Sequence, residues 1–393
     1  MANIRLLELR NTYKWGGGPD KTILLSAARH NRQQVEVVVV YIRDVRDREF
    51  RITDKARGLG LTFYELEERG KFDLRVLHTL RDIIVRHDIN LIHAHDYKSD
   101  LFAYVLRQWL RHRHFTLLST AHAWVMLGLR GALYRRLDLW LMRHFDHLIA
   151  VSHATKNEMV TAGVPPHLIS VIHNAIDTEE WAPYPIGPTL REELGIPQTF
   201  PVLGYVGRIM PEKDLGTWLR AAALVGQRYP EAQFVLVGEG RDGSTLSQLQ
   251  QLATDLGISE RMHFPGYRAH LLPVYAAFDL FVLTSRREGL PNSVLEAMAM
   301  GLPVVTTDVA GTKELVLHGQ TGFVLPQGDV HGLAQAMMTL LDDAQLRQCM
   351  GLAGRKRVEQ EFSFTGRLQR IEALYAEILG LLPAHQVSAP KLS

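Results

Sequence analysis

The apolar positions of this chain fall into short blocks separated by longer amphipathic stretches. Ile4–Leu9, Val35–Ile42, Thr62–Leu66, Leu91–His93, Thr116–Thr120, His147–Val151 and Ser170–His173 read as strands, several of them apolar enough to be buried on both faces. Segments with helical spacing, such as Thr22–Asn31 and Leu74–His87, lie between most of them. Regular strand–helix alternation predicts a parallel, doubly wound sheet. The Pro/Gly-rich segment Ala182-Pro183-Tyr184-Pro185-Ile186-Gly187-Pro188 breaks the rhythm and marks a boundary. The alternation then resumes at Val202–Val206, Gln233–Val237, Met262–Phe264, Leu280–Leu283, Val304–Thr306 and Phe323–Leu325. The expectation is an α/β chain of two Rossmann-like domains, 1–182 and 189–363, facing a central cleft that serves as the ligand site, with 382–393 as a disordered tail.

Composition narrows the class. A chain of 393 residues is too long for one ordinary core and suits two. With 46% hydrophobic and 22% charged residues it is ordinary globular protein. Its single cysteine, Cys349, excludes an intrachain disulfide and a cysteine-based zinc site, and suits a reducing compartment. The first residues enter a strand at once and lack the apolar core of a signal peptide, and no apolar run reaches the roughly 18–20 residues that span a bilayer. A cytoplasmic location is expected. A net charge of +2 argues against nucleic acid as a partner.

Candidate chemistry concentrates where strands end. Ser285–Glu314 places Glu288 in a loop and Glu296 in the helix that follows, with Asn292 and Ser293 as natural N-caps. A helix N-terminus suits an anionic phosphate, and two carboxylates beside it would hold sugar hydroxyls. Ser293 to Glu296 is equally a capping box, in which Glu296 only returns a hydrogen bond to the backbone. Val202–Val206 leads into Gly207-Arg208, and Lys213 follows five residues on. Two cations at the carboxyl edge of a parallel sheet would neutralise a diphosphate, or would simply be solvated. Gly16-Gly17-Gly18-Pro19-Asp20-Lys21-Thr22 is neither a P-loop, since Asp20 stands at the second glycine, nor a dinucleotide fingerprint, since Lys21 stands at the third. It leaves a glycine turn, with Pro19 suited to the first helical position, where a phosphate or sugar approaches bare backbone. No D-x-D pair occurs, so metal-bridged diphosphate binding is not expected. His93 and His95 flank Ala94 at a strand end, but no further cluster with metal-ligand spacing follows them.

Together these segments resemble the retaining glycosyltransferases of family 4, with the GT-B fold. The match runs in order through Gly16-Gly17-Gly18, Ile92-His93-Ala94-His95, Thr120-Ala121-His122, Ala150-Val151-Ser152 and His173-Asn174-Ala175-Ile176-Asp177. It continues through Gly204–Arg208 with Lys213, Val237-Gly238-Glu239-Gly240, Phe264-Pro265-Gly266-Tyr267, Glu288 to Glu296 and Thr321-Gly322-Phe323. Ala175 departs from the glycine usual in its turn. The resemblance implies that a last helix, roughly 364–381, crosses back to the N-terminal domain. It implies a donor site of Gly16, Gly17 and Gly18, of Gly207, Arg208 and Lys213, and of Glu288, Gly289, Leu290, Asn292 and Glu296. His122 would face the donor sugar and the reaction centre, and His93 and His95 would lie on the acceptor side. Catalysis would fall to His122, Arg208, Lys213 and Glu288. Transfer would proceed with retention and without a metal or other cofactor, the leaving phosphate accepting the acceptor's proton.

The expected reaction moves a hexosyl or N-acetylhexosaminyl unit from a nucleotide-sugar to a glycan or lipid-linked acceptor in polysaccharide or glycoconjugate biosynthesis. UDP-sugars come first and GDP-mannose second. A sugar-nucleotide epimerase of the same fold is the alternative. Residues 101–150 carry Arg107, Arg111, Arg113, Arg130, Arg135, Arg136 and Arg143 among Trp109, Phe115, Trp124, Leu127, Leu129, Leu133, Tyr134 and Trp140. Such a stretch is either an ordinary solvated face over a core or a surface that rests on anionic lipid.

Overall fold

The computed structural model describes residues 3–14, 16–70, 72–122, 136–183, 188–240 and 243–381. The chain forms two compact units, one of residues 1–174 with 365–393 and one of residues 175–364.

The first unit is built on a seven-stranded sheet in the order β3-β2-β1-β4-β5-β6-β7. Its strands are β1 (Ile4–Asn11), β2 (Val35–Asp44), β3 (Thr62–Glu68), β4 (Leu91–Ala94), β5 (Thr116–Ala121), β6 (His147–Ala150) and β7 (Ile169–Val171). All recorded pairings are parallel. The second unit holds a six-stranded parallel sheet, order β10-β9-β8-β11-β12-β13. Its strands are β8 (Val202–Val206), β9 (Gln233–Val237), β10 (Met262–Gly266), β11 (Leu280–Leu283), β12 (Val304–Thr307) and β13 (Gly322–Leu325). Both are doubly wound. The strand order reverses between β1 and β4 in one unit and between β8 and β11 in the other, and ligands collect beyond the carboxyl ends of strands at such points.

The division falls earlier than the Pro/Gly-rich segment suggests. Ile176 donates to the Phe362 carbonyl at 3.0 Å and accepts from the Phe364 N–H at 2.9 Å. Arg355 donates to the carbonyls of Thr178 and Trp181. These bonds tie residues 176–181 to the second unit. Of the expected linker, residues 184–187 lie outside the described residues, as does the expected tail 382–393.

The C-terminal helix Phe364–Ile378 packs on the first unit, as the resemblance implied. Its Ile371, Leu374 and Tyr375 join Ile4, Leu6, Leu91, Leu118 and Ile149 in one core cluster. Glu372 accepts from the Asn31 N–H at 3.0 Å and pairs with Nδ1 of His30 at 2.9 Å. Arg367 donates to the Ser26 hydroxyl at 3.0 Å. The helix is thus held by apolar packing along one stretch and by buried polar contacts beside it.

Candidate active site

In the second unit the expected residues gather at the switch point. The turn Gly207-Arg208 leaves β8 and is stitched to the end of β9, with Gly207 donating to Val237 at 3.0 Å and Ile209 to Glu239 at 2.9 Å. The backbones meet so closely that a Cβ on Gly238, at φ +144°, would lie 1.8 Å from the Gly207 carbonyl oxygen. The buried Tyr205 hydroxyl donates to the Arg208 carbonyl at 2.9 Å from beneath. Burial first, and then the charge of Glu288, raise the Tyr205 pKa well above its ordinary value, so the phenol stays a donor.

A single 3₁₀ turn, Pro211–Lys213, follows, then Asp214 at φ +46° and the helix Leu215–Arg228. Lys213 Nζ lies 2.5 Å from Oε1 of Glu288, in the loop after β11. The Ser285 hydroxyl donates to the same oxygen at 2.6 Å. The Thr284 hydroxyl contacts the carbonyls of Lys213 and Asp214 at 3.1 Å each, and Arg286 donates its N–H to Glu212 at 2.8 Å. The two loops that flank the switch point are therefore one bonded unit, with Arg208, Lys213 and Glu288 on it.

The helix after this loop runs Asn292–Ala299 with Pro291 at the N-cap and no side-chain cap. Asn292 and Ser293 are already helical, so neither caps it as expected. Asn292 Oδ1 is buried with no hydrogen-bond partner among the described residues. Glu296, buried, accepts from the Tyr275 hydroxyl at 2.8 Å. Tyr275, which the sequence reading missed, is wholly buried. Its pKa rises through burial and then through the Glu296 charge. Leu290 is core, and Gly289 presents its carbonyl to Gly311, where a Cβ would come within 2.0 Å.

In the first unit the glycine turn follows β1. Gly17 is the N-cap of the helix Gly18–Arg29, which starts four residues before the expected Thr22 and places Pro19 second rather than first. Asp20, the residue that breaks the Walker pattern, accepts the Gly17 N–H at 2.6 Å across the first turn of the helix. Gly16 takes φ +71°, and a Cβ there would meet Ile52 at 2.7 Å and Asp20 at 2.8 Å. Arg10 pairs with Asp20 at 3.4 Å.

One face of this sheet changes character along its strands. Toward the amino ends it carries Ile4, Leu6, Leu91 and Leu118. Toward the carboxyl ends the same alternation presents Glu8 and Arg10 on β1, His93 and His95 at β4, and Thr120 and His122 at β5. His93 is fully buried, with Nδ1 2.8 Å from the Tyr375 hydroxyl and Nε2 2.7 Å from the Thr120 hydroxyl. His95 Nε2 lies 2.5 Å from Glu8 Oε2. Burial opposes the Glu8 charge, but His93 and His95 outweigh it and hold the carboxyl well below the usual range. Burial, His93 and Arg10 together lower His95 to about 4, although Glu8 acts the other way. Burial and the cations Arg10 and Arg367 push His122 lower still than an ordinary imidazole.

No cluster with ligand spacing follows His93 and His95 in sequence, but the fold brings Glu8, from far earlier in the chain, beside them. Ligating atoms of the three residues all lie within 4.8 Å of one another. The set nonetheless suits a hydrogen-bond network better than a cation. Both His93 nitrogens are engaged, and Arg10 and Arg367 add positive charge beside it. His93 is accordingly placed inside the unit, bonded to its own chain.

The stretch 101–150 is mixed. Phe115 is core, whereas Trp109, Leu137 and Trp140 are 42%, 38% and 45% exposed. Arg107 pairs with Asp146 and Arg113 with Asp88, while Arg143 binds the carbonyls of Ala162 and Gly163. Trp124, Leu127, Leu129, Arg130, Leu133, Tyr134 and Arg135 lie outside the described residues. Among the described residues no helix is long and apolar enough to cross a membrane.

Comparison with known proteins finds family matches over both units. Residues 16–180 match Glycosyltransferase Family 4, and residues 200–343 match Glycosyl transferases group 1. The chain is 27% identical over 319 residues to the N-acetyl-alpha-D-glucosaminyl L-malate synthase of Bacillus anthracis, covering 80% of this chain and 82% of that one. It is 27% identical over 315 residues to the UDP-Gal:alpha-D-GlcNAc-diphosphoundecaprenol alpha-1,3-galactosyltransferase of Escherichia coli, covering 78% and 80%. Anabaena HepE, solved in complex with UDP and glucose, superposes with a TM-score of 0.83 over 97% of this chain and 100% of its own, at 24% identity. That likeness shows a common fold, GT-B.

Proposed function

Since the chain belongs to the group 1, family 4 glycosyltransferases, we propose that it transfers a hexosyl or N-acetylhexosaminyl unit from a nucleotide-sugar to a glycan or lipid-linked acceptor, with retention and without a metal. The observation that carries this reading is the bonded pair of loops at the switch point of the second unit. It holds two cations, Arg208 and Lys213, beside Glu288 and close in sequence to Glu296. Cleavage of a sugar–phosphate bond builds charge on the leaving diphosphate while the sugar becomes oxocarbenium-like. Arg208 and Lys213 meet the first demand, and Glu288 orients sugar hydroxyls. Glu296, oriented by Tyr275, holds the ribose hydroxyls. His122 is assigned to the transferred sugar on the family resemblance. The leaving phosphate takes the acceptor's proton.

A UDP-sugar is the preferred donor and GDP-mannose the next. The galactosyltransferase relative is named for a UDP-sugar and a diphosphoundecaprenol-linked acceptor, and HepE was solved with UDP. Trp109, Leu137 and Trp140 are exposed apolar groups that would contact anionic lipid bearing such an acceptor. A thermal-shift panel of UDP, GDP, ADP and their sugar conjugates without added metal tests the reading. Selective stabilisation by one nucleotide supports it and names the base, and no shift with any of them overturns it.

A further inference from the structure

His95 has one ring nitrogen that serves nothing in the described fold. The residue is 4% exposed. Its N–H donates to the Ser99 hydroxyl at 3.0 Å, its carbonyl accepts from Arg10, and Nε2 meets Glu8. Nδ1 is buried and finds no hydrogen-bond partner among the described residues. The His122 ring lies beside it, centroids 5.8 Å apart and planes 28° from parallel, and neither His122 nitrogen has a partner there either.

The protonation pattern follows from the contacts. An ionised carboxylate only accepts hydrogen bonds, so the 2.5 Å contact requires the proton on His95 Nε2. The ring is neutral at pH 7, which leaves Nδ1 as a bare lone pair. A buried acceptor without a donor is costly, and such a group in a folded protein calls for a reason, a bond supplied by another molecule being one. This one stands just past β4, at the strand-order reversal of the first unit, where a ligand is expected. A lone pair repels an anion, and Arg10 with Arg367 disfavours a cation. The matching chemistry is an uncharged hydroxyl donor, as on a sugar ring.

We propose that Glu8 is a positioning residue that locks His95 in the Nε2–H form, so that Nδ1, with His122 alongside, accepts a hydrogen bond from a sugar hydroxyl. This rests on the transferase reading, and it gives His95, set on the acceptor side by the resemblance, a defined tautomer and adds Glu8 as the residue that fixes it.

The test is nitrogen NMR of the histidine rings in the full-length protein, with His95 assigned from the variants His95→Gln and His95→Asn. Wild-type protein should show a protonated Nε2 and an unprotonated Nδ1. An Nδ1–H form or an imidazolium at pH 7 overturns the proposal whatever the variants do. Glu8→Gln, whose amide donates as well as accepts, should release the lock and mix the two tautomers. Ligand arms use UDP-glucose and GDP-mannose against UDP and GDP alone, then free glucose, mannose and N-acetylglucosamine with UDP present. A His95 Nδ1 shift with a nucleotide-sugar only assigns the hydroxyl to the donor, and a shift with a free sugar assigns it to the acceptor. Gln places its amide near the Nε2 position and Asn near Nδ1. His95→Gln should therefore weaken that sugar about tenfold, and His95→Asn about threefold or less, for a single neutral hydrogen bond. If UDP or GDP binds while every sugar leaves His95 unmoved, this inference fails and the donor site stands. If neither nucleotide binds, the donor site fails, and the free-sugar arm still decides the role of His95.

Discussion

Lys213 Nζ and Glu288 Oε1 lie 2.5 Å apart, with side chains only 14% and 12% exposed, and so occupy each other where no ligand is bound. A donor that places its diphosphate on Lys213 and its sugar on Glu288 must part them. Partly buried pairs of this kind interact more strongly than surface ones, so separating them opposes binding. Glu288→Gln keeps the shape but frees the ammonium. We expect nucleoside diphosphate alone to bind several-fold tighter to this variant, while turnover falls at least tenfold because the sugar loses its carboxylate. Calorimetry with UDP and GDP, set beside initial rates, checks both. Weaker nucleotide binding would mean that Lys213 never reaches the diphosphate.

Arg208 makes a different demand. It follows the glycine turn after β8, where a fixed guanidinium meets charge as it develops on the leaving group. Arg208→Ala should lower kcat by about 100-fold or more and weaken free nucleotide binding much less. Nearly intact turnover would remove Arg208 from the leaving-group role.

The turn that carries Arg208 depends on Gly238. A methyl group there would sit 1.8 Å from the Gly207 carbonyl, against backbone that cannot give way. Gly257 also has a positive φ, +69°, but has nothing within 4 Å of a Cβ. Gly257→Ala should cost about 1 kcal/mol of backbone strain, and Gly238→Ala about 3 kcal/mol or more, with loss of nucleotide affinity as well. Thermal unfolding and UDP titration of the two variants make the comparison, and equal effects would refute the close-approach argument.

The strands were the most legible part of the sequence. Val202–Val206, Gln233–Val237 and Leu280–Leu283 have the expected bounds because a strand buried on both faces is an unbroken apolar run with sharp ends. Arg208, Lys213 and Glu288 were visible as polar residues soon after such runs, and Glu296 as a carboxylate in the helix that follows. What stayed hidden depends on partners distant in sequence. Glu8 reads as one charge in an apolar strand, and only register beside His93 reveals its task. Tyr275 and Tyr375 look like ordinary core aromatics until their hydroxyls are seen on Glu296 and His93. The unit boundary near Asn174 was missed because the bonds from Ile176 to Phe362 and Phe364 span most of the second unit.

His95 and His122 make the first unit sensitive to acid, with the buried Asp100, whose raised pKa acts the other way, opposing them. An unfolded imidazole takes up a proton below about pH 6.5, whereas His95 resists until about 4. Between those values the unfolded chain binds more protons, so stability is complete above pH 6.5 and falls as pH drops through the window. His95 alone would contribute about 3 kcal/mol to that loss, as an order of magnitude, and His122 shifts in the same direction. Glu8, held low, keeps its contribution above about 4.5 and loses it as pH falls from there, so it adds little between pH 7 and pH 5. Hydrogen exchange at pH 7 and pH 5, read unit by unit, should show faster opening around β1, β4 and β5 at the lower pH. His95→Gln should flatten that dependence, and an unchanged slope would place the acid sensitivity elsewhere.

Membrane contact, finally, has a specific surface to test. Trp109 is packed edge-on against His78 at 4.9 Å and lies under the Arg81 guanidinium at 5.2 Å. Trp140 contacts Tyr104 at 5.2 Å and His144 at 4.3 Å. These indoles are held by neighbours yet keep 42% and 45% of their surface exposed, as an interfacial anchor requires. Arg107 and Arg113 are paired with acids, so the electrostatic part should be modest and the aromatic part decisive. The protein should sediment with vesicles rich in phosphatidylglycerol at low salt and stay largely bound in about 0.5 M salt, where the Debye length is only a few Å and only the small electrostatic part is lost. Trp109→Ala with Trp140→Ala should weaken binding about tenfold or more at constant salt, without changing UDP affinity. Indifference to anionic vesicles at low salt would make this face ordinary protein surface.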